Sequence, residues 1–165
     1  MRVKVLLLNC YLFLCSKNFM KIITQISASD SYSVRHPILR PGKPLESCRF
    51  EGDDLPTTTH FGFYIDKKII GVVSVFKNNN STFNFDNQFQ IRGMAVLTEF
   101  QKKGFGKDLM NHCAGFIKSQ SGTLIWFNAR EIALPFYEKL GYIKSGNPFT
   151  IADIGLHYVM QKEIG

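Results

Sequence analysis

The chain lacks most of the features that would assign it at once. Cysteine is sparse: Cys10, Cys15, Cys48 and Cys113 form no Cys-x-x-Cys pair, and His36, His60, His112 and His157 stand far apart. His112 and Cys113 adjoin, but helical neighbours point about 100° apart and make poor co-ligands. No metal site is expected, and reduced cysteines in a cytoplasmic protein are the simpler reading. No block of like charge occurs either. The net charge of +7 favours anionic ligands, yet Arg35, Arg40, Lys43 and Arg49 are scattered among apolar residues, so there is no basic arm. With no recognition motif for bases, no nucleic-acid partner is expected. Internal repeats and a linker are missing, which leaves one continuous unit. No apolar run reaches the length that spans a bilayer, so no membrane partner is expected.

The first residues come nearest to such a run. Val5 to Cys15 is apolar and follows Arg2 and Lys4, in the manner of a signal peptide. No small-x-small cleavage site follows, and the Leu-Phe-Leu before Cys15 is a poor lipoprotein box. The reading favoured is an extension over residues 1–19, with Met20 as the natural start and one domain over 20–165.

What the chain has is a core. Apolar residues make up 45% of it, including 15 phenylalanines, which is a globular composition for one domain. Residues 21–26 read as a strand rich in β-branched residues. Ser27, Ser29 or Asp30 caps a helix running to about Leu39, bent or shortened by Pro37. Residues 45–59 read as an irregular excursion with an acidic cluster. His60–Ile65 and Lys68–Phe76 pair around Asp66-Lys67, and Gln88–Leu97 is the next strand. Leu109, Met110, Cys113, Phe116 and Ile117 recur at helical spacing. Residues 123–127 form a buried strand, residues 130–140 a short helix stopped by Gly141, and two further strands close the chain. The order predicts a single α/β unit with a mixed sheet.

One junction carries chemistry. Gln101-Lys102-Lys103-Gly104-Phe105-Gly106-Lys107 lies between a strand and an amphipathic helix. Glycines there let the backbone approach a ligand, and the first helical N–H groups lack partners. Three lysines add charge, so the chemistry points to phosphate or diphosphate. The competing reading is a plain tight turn with solvated lysines. It is neither a Rossmann fingerprint, which needs a third glycine, nor a P-loop, which needs Gly-Lys-Ser/Thr.

Arg92-Gly93-Met94-Ala95-Val96 followed by Gln101-x-x-Gly104-x-Gly106 resembles the acyl-CoA signature of the GNAT N-acetyltransferase superfamily. Ala133 to Tyr142, with Phe136-Tyr137 at its centre, resembles that family's second hallmark. The resemblance implies a mixed, mostly antiparallel sheet of six to seven strands flanked by about four helices. It implies an acetyl-CoA-dependent transfer to a primary amine, by direct attack in a ternary complex and without a metal. The acceptor would be a small molecule or a peptide, and a homodimer is compatible with the family. On this resemblance the CoA diphosphate lies on the turn formed by Gln101, Lys102, Lys103, Gly104, Phe105, Gly106 and Lys107. The pantetheine arm runs along Met94, Ala95 and Val96, whose amides hold the thioester oxygen. Phe136 borders the cofactor. Tyr137 protonates the departing thiolate, its competing reading being a core aromatic.

Many relatives carry an asparagine three residues before the alanine of the second motif. Here Arg130 stands there and Asn128 two residues earlier, so Asn128 either contacts CoA or caps the following helix. Arg130 could reach a phosphate or an acidic group. The base that takes the amine proton is drawn from Glu99 and His157 first, then Glu46, His60 and Glu131. The excursion is expected to wall the acceptor site, with Arg49 or the acidic cluster selecting the substrate. The alternative function is a catalytically weak acyl-CoA-binding or sensing module.

Overall fold

The computed structural model describes residues 19–152 and 154–164; the reading of the first 18 residues falls outside them. Seven strands form one sheet: β1 (Lys21–Ile26), β2 (Thr58–Ile65), β3 (Lys68–Lys77), β4 (Gln88–Val96), β5 (Leu124–Arg130), β6 (Ile143–Ile151) and β7 (Gly155–Glu163). Their order is β1-β2-β3-β4-β5-β7-β6. Every neighbouring pair is antiparallel except β4 with β5. Three α-helices accompany the sheet: α1 (Tyr32–Leu39), α2 (Phe105–Ser119) and α3 (Leu134–Glu138). The rest of the expected helical content is short 3-10 turns, including Thr98–Phe100 and Glu131–Ala133.

The helices divide between the two faces. On α2, Leu109, Met110, Cys113 and Ile117 form one buried stripe against Phe61, Val73, Phe89 and Ile125. That is the apolar face that periodicity at 3.6 residues demands. Gly71 brings α2 close to the sheet, since a Cβ there would stand 3.0 Å from Leu109 Cδ1. On the other face α1 places Val34 against Val72 and Ala95. Strand β3 is buried on both sides, so it reads as a nearly unbroken apolar run.

Several local expectations change. Pro37 lies inside α1, which still runs to Leu39. Ser27 and Asp30 satisfy one another's backbone: Asp30 N–H donates to Ser27 Oγ and Ser27 N–H to Asp30 Oδ2, both at 3.1 Å, the reciprocal logic of a capping box. The helix predicted over 130–140 yields its first residues to β5 and a 3-10 turn, because β5 keeps pairing with β7 as far as Arg130. Asn128 therefore sits within a strand and does not cap a helix. Cys48 is fully buried.

Candidate active site at the fork between β4 and β5

Strands β4 and β5 pair at only three positions, Gln88 with Leu124, Phe89 with Ile125 and Gln90 with Trp126. Beyond them the strands part. A bulge marks the place: Val72 pairs with Ala95 and Ser74 with Arg92, so Gly93 and Met94 together oppose Val73. Gly93 has φ +62°, and a Cβ there would lie 2.8 Å from Arg35 Nε and 2.9 Å from Phe50. Glycine is thus required for both conformation and space. The parting leaves the β5 side of Met94, Ala95 and Val96 without a strand partner. It also exposes Asn128, although Phe127 and Ala129 on either side of it are buried.

The glycine-rich turn stands at the end of β4. Gln101 Nε2 donates to the Val96 carbonyl at 2.9 Å, so this side chain ties the turn to the strand. Lys102 (φ +61°) and Gly104 (φ +90°) both adopt left-handed backbone, curling the segment so that successive N–H groups can face one anion. The Asp108 amide makes the first helical bond, to the Gly104 carbonyl at 3.1 Å, so the amides of Phe105, Gly106 and Lys107 are the partnerless first turn. Lys103 Nζ donates to the Glu99 carbonyl at 2.7 Å, while Lys102 and Lys107 are exposed.

The second predicted segment meets the first. A Cβ on Gly106 would stand 3.3 Å from Phe136 Cζ and 3.9 Å from Val96. Helix α3 thus packs directly beside the turn. Tyr137 is buried between Phe127, at 4.4 Å between ring centroids, and Phe136, at 4.9 Å. Burial pushes its phenol well above the ordinary value of 10.0.

The other face of the fork holds different chemistry. Arg130 closes β5 and donates to the Leu39 carbonyl of α1 at 3.4 Å. His157 pairs with Arg130 across β5 and β7, and cross-strand partners share a face. It is buried, and its Nδ1–H donates to the Gly155 carbonyl at 2.8 Å. A carbonyl can only accept, so Nε2 of the neutral ring carries the lone pair. Glu99 stands elsewhere, in the 3-10 turn after β4, paired with Lys68 at 3.0 Å. Its own backbone N–H, then Lys68, hold its carboxyl below the ordinary range.

Sequence reasoning missed a buried polar ring beneath the bulge. Arg35 pairs with Asp53 at 2.6 Å, both side chains being wholly buried. Its guanidinium also donates to the Cys48 carbonyl and to Ser74 Oγ. The Ser74 hydroxyl then donates to His60 Nδ1 at 2.6 Å, and His60 Nε2–H to the Asp53 carbonyl at 2.8 Å. With both nitrogens engaged, His60 has no lone pair for an acceptor. The expected acidic cluster is dismantled: Asp53 is committed to Arg35, and Asp54 to Arg49 at 2.6 Å on the surface. Glu46 and Glu131 are exposed. Two shallow hollows of about 460 and 570 Å³ lie on the excursion and at the start of α1, and no residue of β4 or β5 lines them.

No group of three or more His, Cys, Asp or Glu side chains among the described residues is placed to hold a metal. No helix there is long and apolar enough to cross a membrane.

Comparison with known proteins agrees with this geometry. Residues 46–164 match the family model described as an acetyltransferase (GNAT) domain. The chain is 31% identical over 142 residues to the uncharacterized N-acetyltransferase YitI of Bacillus subtilis (strain 168), covering 86% of this chain and 95% of that one. Its fold matches the ribosomal-protein-S18-alanine N-acetyltransferase of Escherichia coli with a TM-score of 0.69, at 16% identity over 88% of this chain and 94% of that one. An aminoglycoside 6'-N-acetyltransferase complexed with coenzyme A matches with a TM-score of 0.68, at 16% identity over 86% and 96% of the two chains. The forked sheet, the glycine turn at its mouth and the family match together place this chain in the GNAT family of N-acetyltransferases, enzymes that take their acetyl group from acetyl-CoA.

Proposed function

We propose that the protein transfers the acetyl group to a primary amine by direct attack within a ternary complex at the fork. The observation that carries this is the opposition of the two faces. Tyr137 approaches from the α2 side, whereas Asn128, Arg130 and His157 stand on the α1 side. A donor lying in the fork then has an acid behind its leaving group and an acceptor site before its carbonyl.

In this reading the CoA diphosphate rests on the amides of the turn over 102–107, with Lys102 and Lys107 adding charge. Gln101 holds that turn to β4, and Phe136 fixes the helix beside it. Backbone N–H groups among Met94, Ala95 and Val96 stabilise the oxyanion of the tetrahedral intermediate. Asn128 meets the pantetheine arm from β5. Tyr137 gives its proton to the departing thiolate. The phenol stays protonated through neutral pH, and the burial that raises it also makes a thiolate beside it more basic. His157 takes the amine proton in preference to Glu99, whose carboxylate is already stabilised by Lys68 and its own amide and so is a weak acceptor.

The test is release of CoA from acetyl-CoA in the presence of a panel of primary amines. Amine-dependent release is expected, and Tyr137→Phe should lower turnover about 100-fold. Tight acetyl-CoA binding without release to any amine would refute the enzymatic reading and leave a binding module.

A further inference from the structure

Four arginines converge on the α1 side of the fork. The guanidinium carbons of Arg35, Arg92 and Arg40 lie 4.3, 5.0 and 5.5 Å from the centre of the Phe50 ring. Arg92 also lies 5.0 Å from the Phe76 ring. Arg40 and Arg130 donate to the same oxygen, the Leu39 carbonyl, at 3.0 and 3.4 Å, which brings their guanidinium groups together. Arg92 donates to the Glu51 carbonyl at 2.9 Å.

These partners hold the arginines without neutralising them. Rings and carbonyls carry no net charge, and among the described residues only Arg35 of the four has a carboxylate partner, Asp53. Burial pulls Arg92 below its ordinary value; Asp53 and Glu51 oppose that pull, whereas Arg35 and Arg40 add to it. Arg92, Arg40 and Arg130 thus form a half-buried group of unbalanced positive charge, preorganised before any ligand arrives. A planar guanidinium fork is the side chain best suited to pair with a planar oxyanion.

Their place says which molecule brings it. Arg92 immediately precedes the bulge at Gly93 and Met94. Arg130 follows Asn128 by two residues on the same face of β5 and pairs with His157. The glycine turn, where the diphosphate of CoA is accommodated, lies at the far end of β4, past Val96. An anion on the arginines is therefore on the acceptor's side.

We propose that the acceptor is an amine that also bears a carboxylate, bound by Arg40, Arg92 and Arg130 so that its amine faces His157 and the fork. This rests on the acetyl-transfer reading. The same cluster repels polycationic amines, so selection works by both attraction and exclusion.

The experiment follows CoA release by the full chain with matched acceptors: amino acids and carboxyl-terminated dipeptides against their own amides, with spermidine as a polycation and phosphoethanolamine as a phosphate-bearing amine. The free acids should exceed their amides by about 10- to 100-fold in kcat/KM, chiefly through KM, as loss of a charge-assisted hydrogen bond implies. Arg130→Gln and, separately, Arg40→Gln should erase most of that preference while melting curves confirm folding. Amides or spermidine accepted as well as the acids would overturn the proposal and leave the transferase reading intact. Phosphoethanolamine as the best acceptor would overturn the choice of carboxylate. If no amine in the panel is acetylated although acetyl-CoA binds, the proposal falls together with the reading beneath it.

Discussion

The molecule has two basic regions, built in opposite ways. At the turn over 101–107 the backbone is the instrument: left-handed residues at Lys102 and Gly104 curl it, and Lys102 and Lys107 are exposed. At the α1 side of the fork the side chains are the instrument, stacked on Phe50 and tied to carbonyls of Leu39 and Glu51. The first arrangement suits a diphosphate carried by any acyl-CoA, because it reads charge and tolerates variation beyond it. The second fixes directions in space and so suits discrimination between acceptors. On the proposed reading, one small fold separates holding the common donor from choosing the particular acceptor.

The most rigid point is the buried Arg35–Asp53 pair. Asp53→Ala leaves the Arg35 guanidinium buried without its counter-ion and the Phe50 amide without its acceptor. Chemical denaturation should show a loss of about 3–5 kcal/mol, whereas alanine at exposed Asp54 should cost less than about 1 kcal/mol. If the two cost the same, the rigid half of the comparison is wrong. Next comes the proposed catalytic pair, Tyr137 and His157. Replacing Tyr137 with Phe should cost about 100-fold in kcat with little change in the KM for acetyl-CoA. Because burial raises the phenol above 10.0, the pH profile should show no loss of activity from its deprotonation through neutral and mildly basic pH. His157→Gln should lower kcat far more than Glu99→Gln; the reverse pattern would move the base to Glu99.

Smaller effects belong to the turn. A methyl at Gly106 forces Phe136 to give by a few tenths of an ångström, and Gly106→Ala should raise the KM for acetyl-CoA about tenfold. Lys102→Ala and Lys107→Ala should each raise it only severalfold, through an effect that fades at high salt as exposed charges are screened. A lysine change larger than the glycine change would reverse the assignment of work between backbone and side chains.

The same contrast explains what could be read from the sequence. The turn is local: glycines, lysines and the start of α2 lie within seven consecutive residues, and the strand and helix periods around it are plain. The segment with Phe136 and Tyr137 is equally local, and the fold follows from their order. The arginine group is not local. Arg35, Arg40, Phe50, Arg92 and Arg130 come from α1, the excursion, β4 and β5, and nothing in their spacing predicts that they meet. For the same reason Asp53 looked like part of a surface acidic cluster and His60 like a free base. Only folding reveals that Asp53 is spent on Arg35 and that both nitrogens of His60 are engaged. Asn128 was ambiguous because the extent of β5 depends on its pairing with β7, where Asn128 meets Val159, far away in the chain.

The most direct measurement is a crystal structure of the protein with acetyl-CoA bound. The account predicts diphosphate oxygens about 3 Å from amide nitrogens between Lys102 and Lys107, the thioester beside Met94 to Val96, and its sulfur facing the Tyr137 hydroxyl. A cofactor bound with the fork empty, or with its sulfur turned toward Arg92 and His157, would contradict it.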